Sequence, residues 1–124
     1  MESFNKQGSQ LHPEILFNQT TGQLSIKGKS IPLNADKFLV DVISWIEQYS
    51  KEPQENTNLE IDLTYMNGNS VRSLLGILYQ MKAISDTGKF VKIHWSVPSD
   101  ADDIIELSEG ILSNLNLPYD ISLN

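Results

Sequence analysis

The stretch "NLEIDLTYMNGNSVRSLLGILYQMKAIS", residues 58–85, changes its hydrophobic period once, and that change constrains the fold more than any other feature of the chain. Leu59, Ile61, Leu63 and Tyr65 alternate with Glu60, Asp62 and Thr64, the period of two that buries one face of a strand. From Val71 onward the apolar positions are Val71, Leu74, Leu75, Ile77, Leu78, Met81 and Ile84, the spacing of a helix with one buried stripe. A strand that passes into a helix within about five residues belongs to an α/β domain, in which helices lie on a sheet.

The remaining segments repeat this logic. Glu14 to Phe17 and Gln23 to Lys27 read as strands, joined through Asn18 to Gly22 as a β-hairpin. Lys29 to Asn34, with Pro32, is a connector. Phe38, Leu39, Val42, Ile43, Trp45, Ile46 and Tyr49 form a helical stripe that Asn34 or Asp36 can cap. Ser50 to Asn58 is polar, contains Pro53 and reads as a surface loop. The second helix is expected to end near Asp86-Thr87-Gly88, where the glycine can take a left-handed cap.

Phe90 to Val97 alternates again, with Val91, Ile93, Trp95 and Val97 on the buried face. Ser99 is expected to open a third helix with Asp100, Asp102 and Asp103 beside its positive end and with Ile104, Leu107, Ile111, Leu112 and Leu115 buried. Pro118 stops it, and Tyr119, Ile121 and Leu123 supply a last strand. The order expected is β-β-α-β-α-β-α-β: one α/β domain over residues 13–124, a mixed sheet of four to five strands with helices mainly on one face. Residues 1–12 read as a flexible N-terminal tail.

Bulk composition excludes several classes of function. The formal net charge is -7 and the nine Lys and Arg are scattered, so a nucleic-acid backbone is disfavoured as a partner. No cysteine occurs, which removes thiolate catalysis and Cys-based zinc sites. No apolar run approaches the roughly 20 residues of a membrane span, and the N-terminus has no signal-peptide core; a cytoplasmic location is expected. Glycine-rich phosphate loops and nucleophile elbows are absent.

The two histidines, His12 and His94, are far apart and lack a spaced partner, so His94 is read as a solvated or hydrogen-bonded strand residue. Asp100, Asp102 and Asp103 have the simpler reading of first-turn residues and lack the pattern of a calcium loop. No catalytic residue, metal or cofactor is expected. Trp45 and Trp95 read as core.

The corner at Asn67, Gly68, Asn69 and Ser70 remains. Ser70 precedes the apolar stripe, and its hydroxyl can cap the helix. The free amides and positive dipole end at such a corner also tolerate a phosphoryl group, which would place roughly two negative charges on an exposed surface.

Here the sequence resembles a known family. Pro13-Glu14-Ile15-Leu16-Phe17, then Thr21-Gly22-Gln23-Leu24-Ser25-Ile26-Lys27-Gly28-Lys29-Ser30-Ile31-Pro32, is similar to the opening of the SiaC-family regulatory phosphoproteins. Tyr65-Met66-Asn67-Gly68-Asn69-Ser70 resembles their strand-to-helix motif, and the likeness continues through Lys92-Ile93-His94-Trp95 and Leu117-Pro118-Tyr119. The resemblance implies a fold similar to the STAS domain of anti-sigma-factor antagonists. It also implies a non-enzymatic adaptor role: a serine/threonine kinase modifies a hydroxyl of the motif, a PP2C-type phosphatase restores it, and the unmodified form binds a partner such as a diguanylate cyclase.

The family's modified position is occupied here by Gly68, which has no hydroxyl. The nearest candidate is Ser70, with Ser73 and Thr64 as poorer ones. Either the switch has moved to Ser70 or the chain is locked in the unmodified, partner-binding state. Partner contact is expected at Asn67, Gly68, Asn69, Ser70, Val71 and Arg72 and along the exposed face of the helix as far as Lys82. The alternatives are an anti-sigma-factor antagonist, a STAS-like sensor holding a small ligand between sheet and helices, and a hydrolase pairing Ser70 with His94.

Overall fold

The computed structural model describes residues 3–31, 37–65 and 68–124 apart from the side chains of 68–70. Among the described residues nine elements follow one another: β1 (Phe4–Lys6), β2 (Glu14–Asn18), β3 (Gln23–Gly28), α1 (Lys37–Tyr49), β4 (Asn56–Leu63), α2 (Gly68–Asp86), β5 (Phe90–Val97), α3 (Asp102–Leu115) and β6 (Tyr119–Leu123). The strands form one six-stranded sheet whose spatial order equals their order in the chain. β1, β2 and β3 pair antiparallel, and β3 to β6 run parallel.

That sequential order decides where the helices go. Crossovers between parallel strands are right-handed as a rule, and each one here steps to the next strand in the same direction, which brings all three helices to the same face. α2 packs between α1 and α3. The result is two layers, with one sheet face under the helices and the other open. Among the described strands the order never reverses, so they form no crevice of the kind that a reversal point opens in α/β sheets.

The buried face carries Ile15 and Phe17 on β2, Leu24 and Ile26 on β3, Leu59, Ile61 and Leu63 on β4, and Val91, Ile93, Trp95 and Val97 on β5. Every one of them alternates with an open-face neighbour, as the period of two demands. Phe38, Leu39, Val42, Ile46 and Tyr49 of α1 and Val71, Leu74, Ile77, Leu78, Met81 and Ile84 of α2 close over them. Burial of each large side chain contributes roughly 1.5–3 kcal/mol.

The β2–β3 hairpin is fixed by its own side chains. Asn18 Oδ1 accepts from the amides of Thr20 and Thr21 at 2.9 and 3.2 Å, an Asx turn that leads to Gly22 at φ 75°. The turn abuts the start of β4: a Cβ on Gly22 would stand 2.2 Å from the Asn56 carbonyl oxygen. Beside it, the Tyr49 and Thr57 hydroxyls share a buried hydrogen bond of 2.8 Å, and the Gln54 amide donates to Tyr49 Oη at 3.2 Å. These contacts pin the α1–β4 connection to the hairpin.

Several expectations are corrected. The sheet has six strands, not four to five, because Phe4–Lys6, within the stretch read as a flexible tail, pairs with Ile15–Phe17. β4 begins at Asn56, inside the expected loop, because Thr57 reaches Tyr49. The third helix begins at Asp102, not at Ser99, whose amide donates instead to Asn124 O at 3.2 Å; Ala101 holds the N-cap position with no side-chain cap bond. On that helix Ser108, not Leu107, is buried, with its hydroxyl satisfied by Ile104 O at 2.7 Å. Trp95 is buried, whereas Trp45 is only partly so, stacked on Tyr49. The expected connector residue Pro32 and the expected caps Asn34 and Asp36 lie outside the described residues.

Gly22→Ala is expected to lower stability by about 2–4 kcal/mol, since left-handed strain and a backbone clash act together. Gly88 also has a positive φ, 97°, but nothing lies within 4 Å of where its Cβ would stand. Gly88→Ala should therefore cost only about 1–2 kcal/mol. Urea denaturation of the two variants checks the difference, and equal losses would contradict it.

Candidate functional site: the strand-to-helix corner

The corner is held from below by the backbone. Past the end of β4 two consecutive amides bond to the β3 side: Thr64 donates to Gly28 O at 2.8 Å, closing the ladder, and Tyr65 breaks its alternation by donating to Lys29 O at 2.6 Å. Gly28 is pressed against Pro13, where an added Cβ would lie 2.9 Å from Cα, so the chain below the corner has little room to shift. Tyr65 then leaves the sheet and is 55% exposed. Its place on the buried face of a longer strand was expected from alternation; β4 stops at Leu63, and the tyrosine faces out.

α2 opens at Gly68, three residues before the expected Val71. Ser70 therefore sits within the first turn, not ahead of it as the cap. Asn67 and the side chains of Gly68, Asn69 and Ser70 lie outside the described residues. Val71 is buried in the core and Arg72 is exposed. Of the residues expected to meet a partner, Val71 thus anchors the corner, and Arg72 presents it.

The other hydroxyls separate by burial. Ser73 is buried, whereas Thr64 is exposed. Further along α2, Tyr79 is 59% exposed and Leu75 and Gly76 are half-buried, continuing an outward strip from Arg72. Tyr79 falls between the stripe positions of the helical period, the signal by which sequence alone marks an outward aromatic. Lys82 lies half-buried and pairs with Asp86 at 3.3 Å, one turn further on.

His94 stands elsewhere. It is on the open face of β5, with Nδ1 3.0 Å from Asp120 Oδ2, and Lys92 reaches the same oxygen at 3.5 Å. The sheet separates it from α2, which packs on the other face, so the arrangement a Ser70–His94 hydrolase needs is not formed. Lys27 and Glu60 pair on the same open face at 2.9 Å, and that carboxylate raises the lysine above its ordinary pKa.

Asp102 and Asp103 occupy the first turn of α3, exposed, where they complement the helix dipole. Among the described residues no group of three His, Asp or Glu could hold a metal ion, and no helix is long and apolar enough to cross a membrane. A groove of about 530 Å³ runs along α3, lined by Asp103, Glu106, Leu107, Gly110, Ile111 and Asn114, outside the space between sheet and helices where a sensor's ligand was expected.

Anchoring and presenting residues should respond differently to truncation. Val71→Ala removes buried methyl groups and is expected to cost about 2 kcal/mol. Arg72→Ala should cost less than about 1 kcal/mol. Urea unfolding of both checks this, and a larger loss for Arg72 would place it in the scaffold.

Comparison with known proteins agrees with this architecture. The SiaC family regulatory phosphoprotein model matches residues 6–123. An uncharacterized protein of Pseudomonas aeruginosa is 26% identical over 98% of this chain and 96% of its own length. The solved structure of SiaC of Pseudomonas aeruginosa superimposes with a TM-score of 0.83 at 26% identity, covering 100% of both chains. A second structure, of the diguanylate cyclase SiaD in complex with its activator SiaC from the same organism, matches with a TM-score of 0.82 at 26% identity over 98% of this chain and 99% of that one. With a family model spanning β2 to β6 and the same strand and helix order in space, the chain belongs to the SiaC family of regulatory phosphoproteins.

Proposed function

We propose that this protein is a non-enzymatic regulatory adaptor that binds and activates a diguanylate cyclase. The observation that carries the reading is the match, over nearly all of both chains, to a SiaC solved in complex with the cyclase SiaD as its activator. Contact is made by the corner at Asn67, Gly68, Asn69, Ser70 and Arg72, set in place by buried Val71, with Tyr65 and Tyr79 as the flanking aromatic anchors. Large exposed aromatics and an arginine beside a rigid backbone are the residue types that carry most of the energy in protein interfaces.

Control is exerted through charge at the corner. A serine/threonine kinase adds a phosphoryl group at Ser70 and a PP2C-type phosphatase removes it. In the first turn of α2 such a group is stabilised by free amides and the helix dipole, so modification leaves the fold intact and changes only what a partner meets. With Gly68 at the family's usual modified position, the remaining form of the same reading is a chain held permanently in the binding state.

Intact-mass measurement after incubation with the kinase and ATP separates the two forms. A single added phosphate that disappears in Ser70→Ala supports the switch; no phosphate on wild type, or one that survives Ser70→Ala, rules Ser70 out. Binding is tested with the cyclase by calorimetry. Gly68→Asp is expected to weaken affinity about a hundredfold or more while leaving the circular dichroism spectrum unchanged, and retained affinity would overturn the corner as the contact. Tyr65→Ala should weaken binding about tenfold or more at little loss of stability.

A further inference from the structure

We infer that the β6 edge pairs with the β6 of a second copy, joining two molecules into one continuous sheet, independently of any cyclase. In the β5–β6 ladder, Pro118 O accepts from the Ile93 amide at 3.0 Å and the Asn124 amide donates to Val97 O at 2.9 Å. Backbone groups alternate along a parallel strand, so Asp120 and Ser122 between them also face β5. Tyr119, Ile121 and Leu123 consequently turn their amides and carbonyls outward, on the free edge.

Nothing in the strand guards that edge. Natural sheets close edges with lysines, prolines within the strand, bulges or extreme shortness. The opposite edge follows the rule: β1 is three residues long and carries Lys6. β6 is five residues long with one charge, Asp120, whose carboxylate is already engaged by His94 and Lys92 on the open face.

The chemistry of the edge selects a second copy as the occupant. An antiparallel pair centred on Ile121 sets Tyr119 opposite Leu123 of the other molecule and Ile121 opposite Ile121, and each pair exchanges both backbone bonds. Asp120 then stands opposite Ser122, so no like charges meet. Side chains on the helix side match as well: Tyr119 and Leu123 are 37% and 59% exposed, and Leu107 on α3 is 43% exposed. Gly110 has nothing within 4 Å of where a Cβ would stand, so the chain's own packing does not call for a glycine there. In the pair the two α3 helices run antiparallel, setting Asp103 of one toward the Asn114 end of the other. The carboxyl ends of the strands, and with them the two corners, point in opposite directions.

Sedimentation of the full chain from micromolar to millimolar concentration tests the inference, with twice the chain mass expected at the upper end. Leu123→Pro deletes an outward amide that the chain's own sheet does not use, and should raise the dissociation constant about tenfold or more with unchanged circular dichroism. Leu107→Glu, on an exposed helix position, is the second variant and should do the same. A single-chain mass throughout would overturn the pairing and leave the edge to a strand of another protein. A double mass that persists in both variants would overturn it too, by placing the contact elsewhere.

Discussion

The parallel registration of β3, β4 and β5 is the constraint from which the rest of the molecule follows. Leu24, Leu59 and Ile93 stand side by side, as do Ile26, Ile61 and Trp95, all on the face that the helices cover. A slip of one residue in any of these strands would turn its buried row to water, so the register is strongly determined. With it come the sequential strand order, the single helical layer, and the position at which β4 must hand over to α2. The corner is a consequence of the sheet, extended two residues past β4 by the Thr64 and Tyr65 amides.

The described residues divide into a packed interior and a charged open face. The core between sheet and helices is filled by aliphatic and aromatic side chains, and the open sheet face carries charges that satisfy one another, Lys27 with Glu60 and Asp120 with His94 and Lys92. Beside the corner, the Thr64 and Tyr65 amides hold the backbone to the β3 side, and Tyr65 and Arg72 are exposed; under the proposed function a charge added there would alter recognition and leave the packing undisturbed.

Much of this was legible in the chain itself, for a physical reason. Strands with one buried face and helices with one buried stripe write their periods into Leu59 to Leu63, Val71 to Ile84 and Val91 to Val97, and the structure buries the apolar positions they mark, except half-buried Leu75. What sequence did not disclose depends on contacts between distant segments. Phe4–Lys6 has no period of its own and becomes a strand only against β2. Thr57 sits in a polar run and is buried because Tyr49 supplies its partner. Leu107 and Ser108 exchange places on α3 because a wide apolar stripe leaves its phase undetermined, and a serine bonded to Ile104 O can be buried at small cost. At the site, the period change marked the corner, but the outward turn of Tyr65 depended on where the ladder with β3 ends.

The central claim is that the corner and the outward strip of α2 form the face that meets the cyclase. Amide hydrogen exchange followed by mass spectrometry, with and without saturating cyclase, measures it directly. The account predicts slowed exchange in peptides spanning residues 64–80, with the open-face strand β5 unchanged. Slowed exchange confined to β5 and β6, with 64–80 unaffected, would contradict it.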